Sequence, residues 1–343
     1  MMDQSAEPDA CHAVVADVGR SALRLGMTDS AGRLREDTVR TYDPIQQPTV
    51  SGAISAFSRD LGLAALPKRL GIAVSGAPRG DTITVTNGRW RISRSGLTAM
   101  LQHPPLILND FAANAWAISG LGGQDNFERL AGASLDMAAP GVYCVIGIGS
   151  GLGVALLSRH EYGAVNIIAT EAGHTSFPTG LPAADEALAA ITKRSGFATT
   201  EMLVSAPGLV ALYSALAGRG ALDPKLHDPH EVLRLGLQAR DPVAAHALTV
   251  FGMAFWHFAA NVALTHGAWD GIIVTGGLAT ALRPVLQRQE VADKFALRGP
   301  FQRQLESVPR ALTSSPHAEL RGTALALLAN DAHRSFQRHA LAA

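Results

Sequence analysis

Five side chains that can bind or deprotonate a hydroxyl group stand beside apolar stretches of the sequence. Asn109 and Asp110 directly follow one apolar run. Glu171 and His174 follow another, and Glu201 precedes a third. A polyol needs several fixed donors and acceptors, because each hydroxyl both donates and accepts, and carboxylates form the stronger, charge-assisted bonds. The set therefore predicts a site for a hydroxyl-rich small molecule.

Each of these residues also has a structural interpretation when it is considered alone. Asp110 stands immediately before a predicted helix, where an aspartate commonly serves as the N-cap. A single His174 is equally compatible with a structural role. The prediction of a polyol site therefore depends on the whole set.

A glycine-rich run from Gly147 to Gly153 (GIGSGLG) could bind phosphate. It does not match the dinucleotide pattern GxGxxG, because Leu152 occupies the place of the last glycine and a strand-like VALLS follows instead of a helix. The remaining interpretations are a β-hairpin turn that offers backbone N–H groups and the Ser150 hydroxyl to a phosphate, or a hairpin without a ligand.

A similar turn follows Asp17 at the end of the apolar run HAVVA. An acidic group beside a phosphate turn implies a cation between them, which predicts Mg²⁺ at Asp17, held through water. The structural alternative is an aspartate that caps the turn.

The elements that must position these residues are strands and helices in alternation. The strand–glycine turn–strand unit at residues 12–28 recurs at residues 142–157. A third strand of this kind, at residues 271–275, ends in Gly276-Gly277 and follows a long apolar helix at about 243–266. The recurrence predicts two duplicated α/β domains that face each other across a cleft. Other predicted elements are a strand at 33–42, a helix at 51–61, strands at 69–74, 82–86 and 90–93, and helices at 112–118 and 320–332.

Composition excludes several classes of protein. The 343 residues contain 29 basic and 29 acidic side chains, so the balanced charge gives no support for a nucleic-acid partner. With 47% hydrophobic and 17% charged residues the chain can bury a large core. None of the four lysines follows a glycine, so a Walker A motif is absent from the sequence.

Cysteines and apolar segments argue against zinc clusters and membranes. Cys11 and Cys144 are the only cysteines, too few for a CxxC zinc site, and Cys144 is predicted to be a buried small side chain. The best membrane-span candidate, residues 247–264, contains His257 and Asn261, which favours a buried helix. The polar, acidic start does not resemble a signal peptide. We therefore expect a cytoplasmic protein with no membrane partner.

Seven segments, in this order, resemble the bacterial glucokinases of the non-zinc hexokinase type, within the actin-like ATPase superfamily. The resemblance extends from about His12 to Leu328 and rests on DVGRSALRL, TNGRW, LNDFAA, GIGSGLGVALL, TEAGH, TEMLVSAPGLVALY and TGGL. It implies two actin-like (ribonuclease H-like) α/β domains flanking a central cleft. We expect a small N-terminal domain at 1–108, joined by the C-terminal helix at about 319–343, and a large domain at 109–318.

The resemblance also implies roles for individual residues. Asp110 would be the general base on the C6 hydroxyl of the sugar. The other residues are implied in three groups: sugar binding by Asn109, Asp110, Glu171, His174 and Glu201; ATP phosphate binding by Asp17, Gly19, Arg20, Ser21, Gly149, Ser150 and Gly151; and adenosine binding by Gly276 and Gly277. Mg²⁺ at Asp17 and a homodimer complete the expectation.

The first turn departs from the family pattern Asp-x-Gly-Gly-Thr-Asn, since the chain reads Asp17-Val18-Gly19-Arg20-Ser21-Ala22. Serine keeps the hydroxyl, whereas Ala22 removes a polar contact. Arg20 adds a Cβ where the backbone of the family could need a positive φ. Its guanidinium either compensates by binding the phosphates or blocks them.

The resemblance therefore predicts ATP-dependent phosphorylation of glucose to glucose 6-phosphate. The sequence leaves two alternatives open. One is a sugar-binding sensor with impaired catalysis, which Arg20 and Ala22 suggest, and the other is a kinase for another hexose.

Overall fold

The computed structural model describes residues 13–86, 88–122, 124–217 and 228–342. Cys11, His12 and, within TNGRW, Asn87 lie outside the described residues. The strands of the described part are β1 (Ala13–Val18), β2 (Leu23–Thr28), β3 (Leu34–Tyr42), β4 (Leu70–Val74), β5 (Thr82–Thr84), β6 (Arg91–Ser93), β7 (Leu106–Asn109), β8 (Glu128–Ala131), β9 (Gly141–Ile148), β10 (Leu152–Arg159), β11 (Val165–Thr170), β12 (Gly271–Thr275) and β13 (Arg310–Leu312). The α-helices are α1 (Val50–Asp60), α2 (Arg94–Leu101), α3 (Asp110–Ser119), α4 (Pro182–Ser195), α5 (Ala206–Leu216), α6 (Pro229–Leu237), α7 (Pro242–His266), α8 (Gly277–Leu286), α9 (Gln289–Ala292), α10 (Gln302–Ser307) and α11 (Ala318–Ala342).

The chain divides into two compact units. The first runs to Leu121 and resumes at Ser315, and the second runs from Gly122 to Ser314. The first contains the sheet β3-β2-β1-β4-β7 and the small ribbon β5-β6, and the second contains the sheet β11-β10-β9-β12-β13-β8. The predicted domain boundaries after residues 108 and 318 stay a prediction. They would place α3 in the large domain, whereas the observed division places it in the first unit.

The two main sheets share one topology. In each, a three-stranded antiparallel meander (β1-β2-β3 or β9-β10-β11) is extended by two parallel strands, β4 and β7 or β12 and β13. The second sheet adds β8, antiparallel to β13. This repeated order is the duplication that the recurring strand–glycine turn–strand unit predicts.

In the first unit, β1 is buried on both faces, and its alternating side chains belong to two layers. Val14 and Ala16 lie in the cluster that includes Phe57 of α1. Ala13 and Val15 contact the cluster that includes Leu320 of α11. Asp17, two residues beyond Val15, therefore points toward the α11 layer.

Helix α11 packs closely on α3 in the same unit. Gly322 permits this approach, because a Cβ there would overlap the carbonyl of Ala113. The contact brings the first turn of α11 beside the helix that starts at Asp110.

In the second unit, α7 is the central helix of the core. By length and composition it could cross a membrane, but 72% of its most apolar window is buried inside the unit. Asp241 caps its start by accepting N–H bonds from Val243 and Ala244. Gly267 ends it with a left-handed φ of 64°. The prediction of a buried helix is confirmed, as is the burial of Cys144.

Candidate functional site

In the first unit, Asp17 is nearly enclosed at the end of β1, with 4% of its surface exposed. Arg24 lies directly opposite in the antiparallel register. Its Nε and Nη2 donate to Oδ2 of Asp17 at 2.9 and 2.5 Å. One guanidinium therefore fixes the orientation of this carboxylate.

Two further carboxylates raise the negative charge around Asp17. Glu319, in the first turn of α11, lies 3.7 Å from Nη2 of Arg24 and accepts a bond from Asn114 of α3 at 3.3 Å. Burial raises the pKa of Asp17 to about 7, helped by repulsion from Glu319 and Asp110 and opposed by Arg24. Asp17 therefore titrates close to neutral pH when no cation is bound.

Residues 19–22, the first glycine turn, join β1 to β2. It is closed by the Gly19 N–H, which donates to the Ala22 carbonyl at 3.0 Å. Arg20 and Ser21 are exposed. Arg20 is not among the non-glycine residues with positive φ in the described part of the chain, so arginine fits this backbone without strain. The concern that a Cβ at this position would distort the turn is not supported.

Asn109 and Asp110 form the start of α3. Oδ1 of Asn109 accepts N–H bonds from Phe111 and Ala112 at 2.8 and 3.2 Å, and its Nδ2 donates to the Gly76 carbonyl at 3.2 Å. Asn109 is therefore the N-cap of α3. The N-cap role that the sequence suggested for Asp110 is thus filled by Asn109. Asp110 is half-buried at the first helical position, where one carboxylate oxygen accepts the Phe111 N–H at 2.8 Å.

In the second unit, residues 149–151 form the second glycine turn, which joins β9 to β10. The Gly149 N–H donates to Gly151 at 3.0 Å, and the Gly149 carbonyl accepts the Ala206 N–H at 2.8 Å, which ties the turn to the start of α5. A Cβ on Gly149 would meet no atom within 4 Å. The turn is thus anchored from one side and open above Gly149.

Glu201 lies against this second glycine turn. Its Oε2 accepts the Leu152 N–H at 2.8 Å, and a Cβ on Gly151 would come within 2.7 Å of the same oxygen. Glycine at position 151 therefore leaves room for the carboxylate in this position.

The segment that carries Glu201 is bonded to the segment that carries Glu171 and His174. The Glu201 N–H donates to Gly173 at 2.8 Å. Nε2 of His174 lies 3.9 Å from the Glu171 carboxylate, and both side chains are at least half exposed. The structure thus brings these three predicted sugar-binding residues to one place beside the second glycine turn.

Gly276 and Gly277 join β12 to α8 in the second unit. Gly276 has a φ of 103°, and a Cβ there would overlap the Ile148 carbonyl of β9. A Cβ on Gly277 would meet nothing within 4 Å. No side chain caps the start of α8, so its first N–H groups suit a polar or anionic ligand.

Sequence reasoning missed Arg24 and Glu319. Arg24 had a local signal, since residues 17 and 24 face each other once the hairpin is paired around residues 19–22. Glu319 had none, because only the packing of α11 on α3 brings it near Asp17.

Within the described residues there is no group of three or more His, Cys, Asp or Glu side chains placed to enclose a metal ion. The charges around Asp17 nevertheless fit a hydrated cation: one guanidinium pairs with Asp17 and Glu319, and the charge of Asp110 also acts on Asp17. Mg²⁺ usually keeps several waters and needs only one or two protein carboxylates.

The chain is similar to known proteins over almost its whole length. A family model described as Glucokinase matches residues 14–330. The chain is 35% identical over 330 residues to a glucokinase of Stenotrophomonas maltophilia (strain R551-3), covering 94% of this chain and 96% of that protein. It resembles a crystal structure of glucokinase from an Antarctic psychrotroph, with a TM-score of 0.77, 24% identity and 92% and 98% coverage. Glucokinase from Balamuthia mandrillaris in complex with glucose gives a TM-score of 0.75, 20% identity and 94% and 95% coverage. These structures confirm the actin-like α/β fold.

Proposed function

Because the chain belongs to the glucokinase family, we propose that it transfers the γ-phosphoryl group of ATP to the C6 hydroxyl of glucose. The products are glucose 6-phosphate and ADP. The protein is thus a sugar kinase, a phosphotransferase with an alcohol as acceptor.

The observation that carries this proposal is the bond between Glu201 and Leu152. It joins a member of the polyol-binding set to the residue that follows the second glycine turn, at 2.8 Å. Glu171 and His174 are bonded through their segment to the same place. Sugar-binding and phosphate-binding groups must lie close together when a phosphoryl group passes between their ligands.

We assign the proton transfer to Asp110. Its carboxylate accepts the proton of the C6 hydroxyl as that oxygen attacks the γ-phosphorus, and the bond from phosphorus to the β-phosphate oxygen breaks. Asn109 holds the start of α3 and offers its amide to the sugar. Glu171, His174 and Glu201 bind the other hydroxyls.

We assign phosphate binding to the two glycine turns and to Arg20. The Gly151 N–H and the hydroxyls of Ser21 and Ser150 donate to phosphate oxygens. Gly19 and Gly149 shape the two turns, because their own N–H groups are bonded within them. Gly276 and Gly277 border the adenosine. Asp17 would hold Mg²⁺ through water, and the cation, when bound, would neutralise charge on the phosphates.

A coupled assay for ADP release tests this function. We expect ADP to appear with glucose and ATP, to depend on Mg²⁺, and to be faster with glucose than with mannose or N-acetylglucosamine. Preference for another of these sugars would change the substrate. Glucose binding without ADP release would instead favour the sensor alternative that Ala22 suggests.

We further propose that the chain forms a homodimer, as the family resemblance implies, and that it is located in the cytoplasm. Light scattering coupled to size-exclusion chromatography should give twice the mass of the 35.9 kDa chain. A monomer would remove the dimer from the proposal and leave the reaction untouched.

A further inference from the structure

A cavity of about 690 Å³ lies within the second unit, and none of the candidate site residues lines it. Its wall includes residues of β8, of the segment from α8 to α9, and of α10 and β13. Its volume is within the range of small-molecule sites. The charged and amide side chains of the wall are Arg129, Gln287, Gln289, Asp293, Glu306 and Arg310.

Arg310 is an unusual component of this wall, because it is a cation with only 5% of its surface exposed. Its guanidinium carbon lies 4.7 Å from the ring centre of Phe295 and 5.5 Å from that of Trp256. Nη1 donates to the Ala292 carbonyl at 2.9 Å, whereas Nε has no hydrogen-bond partner. The aromatic rings and one carbonyl hold the side chain in place and leave its hydrogen-bonding capacity incomplete.

No ion pair neutralises Arg310 among the residues that the structure describes. Burial lowers its pKa to about 10, although attraction to Asp293 opposes the change. A buried cation without a bonded counter-ion is costly. Arg129 adds a second positive charge on the same wall and raises the demand for an anion.

The rest of the wall offers mainly acceptors. The amide nitrogen of Gln287 is already bonded to Glu128 and to the Arg129 carbonyl, and that of Gln289 donates to Asp293 at 2.6 Å. The amide oxygens and the carboxylates of Asp293 and Glu306 remain as acceptors for hydroxyl groups. These two carboxylates repel a small bare anion, so a ligand that presents hydroxyls to them and its anionic group to the arginines fits the wall better.

We propose that this cavity is a second ligand site that binds a phosphorylated polyol, with the phosphate against Arg310 and Arg129 and the hydroxyls on the acceptors opposite. The choice of a sugar phosphate rests on the proposed function, because that reaction produces one. The site is separate from the reacting groups, so it would act as an effector site for the product or for a related sugar phosphate.

Calorimetry on the full chain tests this site, with glucose and the non-hydrolysable analogue AMPPNP added first to occupy the reacting site. Glucose 6-phosphate is then titrated, with inorganic phosphate and sorbitol as separate probes. We expect saturable binding of one glucose 6-phosphate per chain and much weaker binding of the other two probes.

Variants identify the cavity. Arg310→Gln should abolish the binding, and Arg129→Gln should weaken it about tenfold, the effect of losing one charge-assisted hydrogen bond. Arg283→Gln is the matched control, since Arg283 pairs with Glu128 at 3.0 Å and does not line the cavity. It should bind like the unmodified protein. If Arg310→Gln does not fold, Arg129→Gln still decides.

Absence of saturable binding, or equal affinity in Arg129→Gln and the unmodified chain, would overturn the proposal. Inorganic phosphate binding as tightly as glucose 6-phosphate would overturn the assignment of a polyol. ADP release is measured on the same preparations. Turnover without second-site binding would refute only this site, and second-site binding without turnover would refute only the proposed reaction.

Discussion

The two units share one strand order but join their first two strands by chemically different turns. In the first unit, residues 19–22 connect β1 to β2 and expose Arg20 and Ser21. In the second, the shorter turn 149–151 consists of glycine and serine, with open space above Gly149. The first turn offers side-chain charge, and the second offers mainly backbone N–H groups.

The carboxylates beside the two turns are held differently as well. Asp17 belongs to its strand and is bound by a guanidinium, next to two more carboxylates. Glu201 comes from another segment and binds a backbone N–H. A duplicated fold has thus acquired an electrostatic half, suited to a cation and phosphates, and a hydrogen-bonding half, suited to hydroxyls and phosphate.

The largest effect is expected for Asp110→Asn in the first unit. Loss of the proton acceptor should reduce kcat roughly a hundredfold to ten-thousandfold, while calorimetry shows glucose affinity nearly unchanged. Asp43→Asn, which changes an exposed carboxylate of the same unit, is the control. Near-normal turnover in Asp110→Asn would remove this residue from the reaction.

In the second unit, Glu201→Gln should raise KM for glucose roughly tenfold to a hundredfold, because a bond to a charged group contributes about 1.5–3 kcal/mol. The amide oxygen can still accept the Leu152 N–H, so KM for ATP should change less. Glu186→Gln, exposed on α4, serves as the control. A larger effect on ATP than on glucose would contradict the division between the two halves.

Arg20→Gln tests the charge of the first turn. We expect KM for ATP to rise roughly fivefold, in line with about 1 kcal/mol for an exposed ion pair, with KM for glucose unchanged. Arg91→Gln, an exposed arginine of the same unit, should have no effect. Tighter ATP binding in Arg20→Gln would mean that the arginine obstructs the phosphates.

The smallest effect concerns the pH dependence of stability without ligands. The folded-state pKa of Asp17 is raised to about 7, so its contribution to stability is complete below pH 4 and is lost as pH rises toward 7. Asp17→Asn should therefore gain melting temperature relative to the unmodified protein over this range, on the order of several °C.

Asp29 provides a control of opposite sign for this last experiment. Bonds from the backbone and side chain of Arg33 lower the pKa of Asp29, so its contribution is present above pH 4 and lost on acidification. Asp29→Asn should lose melting temperature where Asp17→Asn gains it. Parallel pH profiles for the two variants would show that the environment of Asp17 is not as described.

Local patterns were sufficient to predict the repeated unit of the fold. The hairpin at residues 13–28, helix α1 and helix α7 follow from apolar periodicity and glycine position, and each is confirmed. The strands β8 and β13 are too short to show a period, and they are set by pairing with each other and by the pairing of β13 with β12. Local propensity has no information about such contacts.

The site shows the same limit. The glycine turns and the carboxylates at strand ends could be predicted because strand ends place them. The contact of Glu319 with Arg24 could not, since it depends on α11 packing against α3. The bond from Leu152 to Glu201 likewise links residues far apart in the chain. Long-range packing, rather than motif content, decides which polar groups meet.

The central claim, transfer of the γ-phosphoryl group to C6 of glucose, is tested most directly by ³¹P NMR of the reaction. The protein is incubated with ATP, Mg²⁺ and glucose, and in parallel with 6-deoxyglucose, which lacks the accepting hydroxyl. We predict loss of the γ-phosphate signal and growth of ADP and glucose 6-phosphate signals with glucose only. Unchanged ATP, or ADP accompanied by inorganic phosphate alone, would contradict the claim.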